Sequence, residues 1–274
     1  MIGGGMSHRM MWGKRGCPLP QNFPGLSAWY RANDTDTLFD AVSGGSNVTT
    51  NGDPVARWED KSGSGYHLTQ SDIGKRPTLK TNAKNGKNAI EFDGIDDFLT
   101  TGLVDLMRSK GVVNCFIVVQ DTNVTGGNAD HYPIIVNAGG NARLLMGTRR
   151  LSVAQFRTAT RRLPGDTFRD VLISPSDTNF NIISSRLNYS AGGFVMSVNS
   201  RLPVQESSAI TSGNTSNNQG QLFVGNIENG SVGSNFNICE IMFLEDPDVP
   251  TGDATIEYLN CIFSYFQKEY DITP

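Results

Sequence analysis

The sequence predicts an all-β protein, an antiparallel two-sheet sandwich with an extended N-terminal arm and one C-terminal helix. Composition is the first reason: 30 Gly and a hydrophobic fraction of 38% in 274 residues describe many turns and short strands rather than long helices. Pattern is the second: short runs of β-branched and aromatic residues succeed one another between Gly, Asn, Asp and Pro, and only the last stretch has helical periodicity. Sandwiches of about 200–250 residues commonly fold as one domain, so the expected organisation is an arm over 1–24 and one domain over 25–274.

Residues 1 to 24 carry three consecutive glycines, several methionines, a basic set (His8, Arg9, Lys14, Arg15) with Trp12, and three prolines. Such a segment cannot build a core and is expected to order against something else, with a neighbouring chain as the expected support. From Gly25 the runs "LSAWYR" (26–31), "PVARWED" (54–60), "AIEFD" (89–93), "VVNCFIVVQ" (112–120), "PIIVNA" (133–138), "LSVAQF" (151–156), "NFNIIS" (179–184), "GFVMSVN" (193–199), "QLFVGN" (221–226) and "FNICEIMFL" (236–244) read as strands. In the fourth, Val113, Cys115, Ile117 and Val119 share one face while Val112, Phe116 and Val118 lie on the other, the signature of a central strand covered on both sides. Over 252–270, Ile256, Leu259, Phe263 and Phe266 form a helical stripe that should lie against the sandwich.

A net charge of −4 gives no broad attraction to nucleic acid or to an anionic membrane. The opening residues lack the apolar run of an export signal and no segment has the length of a membrane span, so synthesis and folding in a cytoplasm are expected. The four cysteines form no C-x-x-C pair, which argues against a zinc knuckle or redox motif; Cys115 and Cys239, inside apolar runs, are expected buried and reduced.

Several motifs, taken in order, resemble the concanavalin A-like, laminin-G-like jelly-roll domains, above all their bacterial and phage versions. They are "GLSAWYRANDTDTLF", "ARWEDKSGSGYH", "RPT", "NGKNAIEFDGIDD", and "FNICEIMFL" followed by the amphipathic helix. The likeness covers about residues 25–100 and 221–272. It implies a jelly roll, and a role among those such modules have: sugar binding, an appended domain of a carbohydrate-active enzyme, or a decoration, tail or fibre component of a phage virion. Fold alone does not choose among these.

The acidic stretch "NAIEFDGIDDFLTTG" decides whether a catalytic reading is needed. On a strand, Glu91 and Asp93 would share a face, as the two carboxylates of a glycosidase must. Against this, Asp93, Gly94, Asp96 and Asp97 form "DGIDD", a turn in which Asp side chains accept nearby backbone N–H groups. The expectation is a turn that leaves no carboxylate pair free, with no metal and no cofactor. Asp60, before "KSGSG", is read as a second such turn. Trp58, Tyr66 and His67 would be a sugar platform if their faces were open, although Trp58 in an alternating strand favours the core.

An arginine-rich stretch, with Arg149, Arg150, Arg161 and Arg162, suits bidentate carboxylate contacts across a protein interface or, equally, a charged strand edge. Three histidines and no nucleophile elbow, metalloprotease motif or phosphate loop give no catalytic set. The leading expectation is a non-enzymatic structural or decoration component of a phage virion or similar assembly. It would hold neighbouring subunits, homo-oligomeric copies included, through Arg9, Trp12, Lys14, Arg15 and the four arginines above. The alternative is a carbohydrate-binding module for a surface glycan, and the third reading is a glycoside hydrolase using Glu91 and Asp93.

Overall fold

The computed structural model describes residues 17–122, 129–138, 141–150, 154–174, 176–200, 206–225, 235–245 and 253–274. Its strands are β1 (Leu26–Arg31), β2 (Leu38–Phe39), β3 (Arg57–Trp58), β4 (Leu68–Thr69), β5 (Thr78–Lys84), β6 (Lys87–Asp93), β7 (Phe98–Thr100), β8 (Val112–Asp121) and β9 (Ala129–Ala138). They continue as β10 (Asn141–Arg150), β11 (Ala154–Thr160), β12 (Arg169–Ile173), β13 (Phe180–Asn188), β14 (Gly193–Val198), β15 (Glu206–Ala209), β16 (Gly220–Gly225) and β17 (Asn235–Glu245), followed by helix α1 (Asp253–Tyr270).

Two antiparallel sheets form the sandwich. One runs β15-β14-β13-β8-β17-β6-β5 with β1 also paired to β17, and the other runs β12-β11-β10-β9-β16-β7-β4-β3-β2. β8 lies between β13 and β17, as its two apolar faces require. Val113, Cys115, Ile117 and Val119 enter the core between the sheets, and Phe116 and Val118 enter a second core under α1. β1 divides likewise: Tyr30 points inward, its ring centroid 5.8 Å from that of Trp58, while Trp29 points out to the helix.

Helix α1 lies on the outer face of the first sheet, with Leu259, Phe263, Phe266 and Tyr270 buried against Phe116, Met242 and Leu244. Phe116 is 5.5 Å from Phe263 and 5.9 Å from Phe266, centroid to centroid. The side chain of Ile256 lies outside the described set.

Some elements differ from expectation. The run around Trp58 is a strand of two residues, because Asp60 turns the chain at once. β10 in "NARLLMGTRR" carries little β-propensity and is a strand because β9 and β11 flank it on both edges. Arm residues 17–24 dock on their own chain. Phe23 packs edge-on against Tyr258 of α1 at 6.0 Å, and the Tyr258 hydroxyl donates to the Pro24 carbonyl at 2.8 Å. Cys115 and Cys239 are buried free thiols, and Cys17 is disulfide-bonded to Cys261, a pairing that spacing along the chain did not reveal.

Candidate functional site

β5, β6 and β17 are neighbours, with Thr78 opposite Glu91, Glu91 opposite Asn237, and Asp93 opposite Asn235. Side chains two apart on a strand share a face. Ile90 and Phe92, Phe236 and Ile238 therefore fill the inter-sheet core, and Glu91, Asp93, Asn235 and Asn237 take the outer side. With Gly74, Arg76, Thr78, Asp97 and Thr122 they line a groove of about 510 Å³, within the range of about 300–1,000 Å³ of small-molecule sites.

Several of these polar groups are held in place. Lys80 Nζ lies 2.6 Å from Glu91 Oε1. Arg76 donates to the carbonyls of Gln70, Asp40 and Ser71, so its guanidinium is a fixed part of the wall. Thr122 is anchored to the Asn235 carbonyl through its N–H and its hydroxyl. Asn237 Nδ2 donates to Gln120 Oε1 at 2.7 Å, and Gln120 Nε2 donates to the Thr178 carbonyl at 2.8 Å. This chain of amides turns Nδ2 of Asn237 toward β8, which leaves Oδ1 on the β6 side. That oxygen is buried and has no hydrogen-bond partner among the described residues. An unsatisfied buried acceptor costs about 1–3 kcal/mol.

The acidic turn forms one end of the groove. Asp93 Oδ1 accepts the Ile95 N–H at 2.8 Å, and Asp97 Oδ2 accepts the Asp93 N–H at 3.0 Å. Gly94 is obligatory here: its φ is +77°, and a Cβ would fall 1.6 Å from Asn235 Oδ1. The carboxylates thus brace their own bend, yet Asp93 and Asp97 also line the groove together with Glu91. The turn engages one oxygen each of Asp93 and Asp97, and the strand pairing brings Glu91 alongside them. Burial, with the charges of Asp93 and Asp96 adding to it, raises the Asp97 carboxyl to about 6 against the opposing Asp93 N–H bond.

Asp93, Asp96 and Asp97 bring one carboxylate oxygen each within 4.8 Å of one another. Calcium takes about six to eight oxygens, so a cation held here would draw half or more of its shell from elsewhere.

The remaining candidates lie apart from the groove. Asp60, nearly buried, accepts the Trp29 and Ser62 N–H groups at 2.9 Å through Oδ1, and the Ser62 hydroxyl at 2.8 Å and the Tyr66 N–H at 3.1 Å through Oδ2. Trp58 has no exposed surface and presents no face to a ligand, which removes it from the sugar platform; an alternating strand at the inner sheet surface is the reason. Tyr66 is half-buried, its carbonyl accepting from the Tyr30 hydroxyl, and His67 is exposed with Nδ1 accepting the Asp60 N–H at 3.1 Å.

Arg162 Nε lies 3.2 Å from Asp166 Oδ2, and Arg161 donates to the Pro164 carbonyl and lies 4.5 Å over the Phe168 ring. Both are engaged within their own loop. Arg149 and Arg150 sit opposite Gln155 and Ala154 in the β10–β11 ladder, and their side chains lie outside the described set. Arg9, Trp12, Lys14 and Arg15 also lie outside the described residues.

Sequence reasoning found Glu91, Asp93 and Asp97 but missed Arg76, Thr78, Thr122, Asn235 and Asn237. The alternation "FNI" places Asn237 on the polar face; nothing local says which strand lies beside it. No described helix is long and apolar enough to cross a membrane.

No family model matches the sequence, and no curated protein is significantly similar to it. Solved structures share its fold. The receptor-binding domain of a botulinum neurotoxin mosaic serotype C/D aligns with a TM-score of 0.54 at 11% identity, over 89% of this chain and 51% of that one. The binding domain of Paraclostridial Mosquitocidal Protein 1 aligns at 0.53 and 13%, over 80% and 52%. An arabinofuranosidase complexed with arabinofuranosyl-α-1,2-xylobiose aligns at 0.50 and 14%, over 90% and 61%. The chain therefore spans between half and two thirds of the length of these proteins, and at such identities the likeness is one of β-sandwich fold.

Proposed function

We propose that this chain is a non-catalytic carbohydrate-binding module whose ligand occupies the groove beside β6 and β17. The observation that carries the reading is the groove's lining of short hydrogen-bonding side chains, Glu91, Asp93, Asp97, Asn235, Asn237, Thr78 and Thr122 among them. Carboxylates, amides and threonine hydroxyls on rigid strands match the dense, directional donors and acceptors of a sugar. The exposed Ile95, in the acidic turn, and Ile73, beside Gly74, offer apolar contact at the rim for C–H faces. Among proteins of this fold, the arabinofuranosidase is complexed with an oligosaccharide and the toxin domain binds a receptor, which adds weight to a binding role.

A non-catalytic role fits the carboxylates. Glu91 is paired with Lys80, and Asp93 has an oxygen engaged by the turn, so neither is set apart as an unencumbered acid or nucleophile. Of the contacts expected for the virion-component reading, the arm residues lie outside the described set and Arg161 and Arg162 serve their own loop. Fold neighbours support it less than they support sugar binding, and a sugar-binding component of a particle satisfies both.

Screening the protein on a broad glycan array, with and without calcium, and then titrating a captured oligosaccharide tests the proposal. Asn237→Ala and Glu91→Ala are expected to weaken binding about tenfold or more with the fold intact. Silence across the array, or binding untouched by both substitutions, would overturn the assignment. Hydrolysis of a bound polysaccharide that Glu91→Gln abolishes would instead establish the glycosidase reading.

A further inference from the structure

The four cysteines fall into two unlike pairs. Cys115 lies in the core between the sheets and Cys239 in the core under α1, both without exposed surface, and burial pushes both thiols well above their ordinary range. A thiol that neither ionises nor meets solvent does not take part in exchange. Cys17 and Cys261 join the N-terminal segment to α1 across 244 residues, with their Cα atoms 5.2 Å apart, inside the span a disulfide needs.

Non-covalent contacts bring this pair together. Pro20 and Phe23 are buried, Phe23 packs on Tyr258 one helical turn before Cys261, and the Tyr258 hydroxyl donates to the Pro24 carbonyl. The segment is seated on the helix by its own side chains, and Cys17 meets Cys261 as a consequence.

We propose that the Cys17–Cys261 disulfide is a selective cross-link of the working protein, and that the protein acts where thiols are oxidised. The chemistry is thiol–disulfide exchange with an external disulfide, from a protein oxidant or oxidised glutathione. One thiolate attacks it and releases one external thiol as a mixed disulfide forms. The second thiolate then displaces the other. The two cysteines give up two protons and two electrons, and the external disulfide becomes two thiols. In a reducing cytoplasm the reverse step keeps the pair open, so the bond forms after the chain reaches an extracellular, periplasmic or particle-surface environment. The proposal departs from the expectation of synthesis and folding in a cytoplasm, and it is independent of which ligand the groove takes.

The test is to equilibrate the full chain with a glutathione couple at oxidising ratio, quench with acid, alkylate in denaturant before and after reduction, and map the peptides. Two of the four cysteines should alkylate before reduction, and the cross-linked peptide should join Cys17 to Cys261. Reductant added to the native protein should lower Tm by about 5–15 °C. The double variant Cys17→Ser, Cys261→Ser should melt at the reduced value and ignore reductant. Alkylation of all four cysteines, a cross-link through Cys115 or Cys239, or a Tm unmoved by reductant would each overturn the proposal.

Discussion

Two of the carboxylates buried in this sandwich, Glu240 and Asp97, are treated in opposite ways. Glu240 lies midway along β17 beneath α1. Its oxygens accept from Trp29 Nε1 at 2.6 Å, from the Tyr265 hydroxyl at 2.9 and 3.0 Å and from the Tyr270 hydroxyl at 2.5 Å, with Arg31 Nε at 3.6 Å. Asp97, at the groove end of the same sheet, has the Asp93 N–H as a donor and is repelled by Asp93 and Asp96. Burial raises both, Glu240 to about 7 and Asp97 to about 6. A buried carboxylate that accepts from three residues and has a guanidinium beside it pins a helix to a sheet. One that faces a groove with donors on a single side is where a ligand has something to add.

The largest effect should come from the first of these. Glu240→Ala leaves Trp29, Tyr265 and Tyr270 without their common acceptor and removes the charge beside Arg31, and is expected to cost about 3 kcal/mol or more of unfolding free energy in urea. Asp97→Ala should cost well under half as much. Equal losses would erase the distinction between post and site.

The second prediction concerns pH and the same residue. Glu240 has a folded pKa near 7, above its unfolded value of about 4.5. Its contribution is fully present below about 4.5 and is lost as pH rises through 7. The partners facing it, Arg31 from β1 and Tyr265 and Tyr270 from α1, hold one charge state across that window. Glu240→Gln should therefore flatten the decline in stability between pH 5 and 8, worth up to about 3 kcal/mol in the parent chain. A decline that survives the substitution would place its origin elsewhere.

The contrast also explains what the sequence could disclose. The central strand β8 was legible because one face carries Val113, Cys115, Ile117 and Val119 and the other carries Val112, Phe116 and Val118 beside Asn114 and Gln120. Glu240 was not, although a lone acid inside "NICEIMFL" is a signal. Strict alternation would turn it toward the inter-sheet core, but the register of β17 against β8 shifts between Ile238 and Glu240. That bulge sends Cys239 and Glu240 to the helix side in succession and returns Ile241 inward. Half of the groove was visible as "EFDGIDD"; the other half comes from β17 and the segment 74–78, brought alongside by pairings that no local pattern encodes. Cys17 and Cys261 are the extreme case, partners through a docked arm rather than through any motif.

The smallest expected effect tests the site half of the comparison. Asp97→Asn keeps an oxygen to accept the Asp93 N–H and removes the charge that burial, Asp93 and Asp96 oppose. Because the folded pKa is raised, the parent loses stability as pH climbs from about 4 through 6, and the amide does not. At pH 7 the variant should equal the parent or exceed it by less than about 1 kcal/mol, a figure kept small because water in the groove screens the charge. Ligand affinity should respond differently: a loss on Asp97→Asn at pH 7, shrinking at pH 5 where the parent carboxyl is itself protonated, would show that the charge serves the ligand. An affinity difference that stays constant across that range would mean that Asp97 acts through the shape of the turn alone.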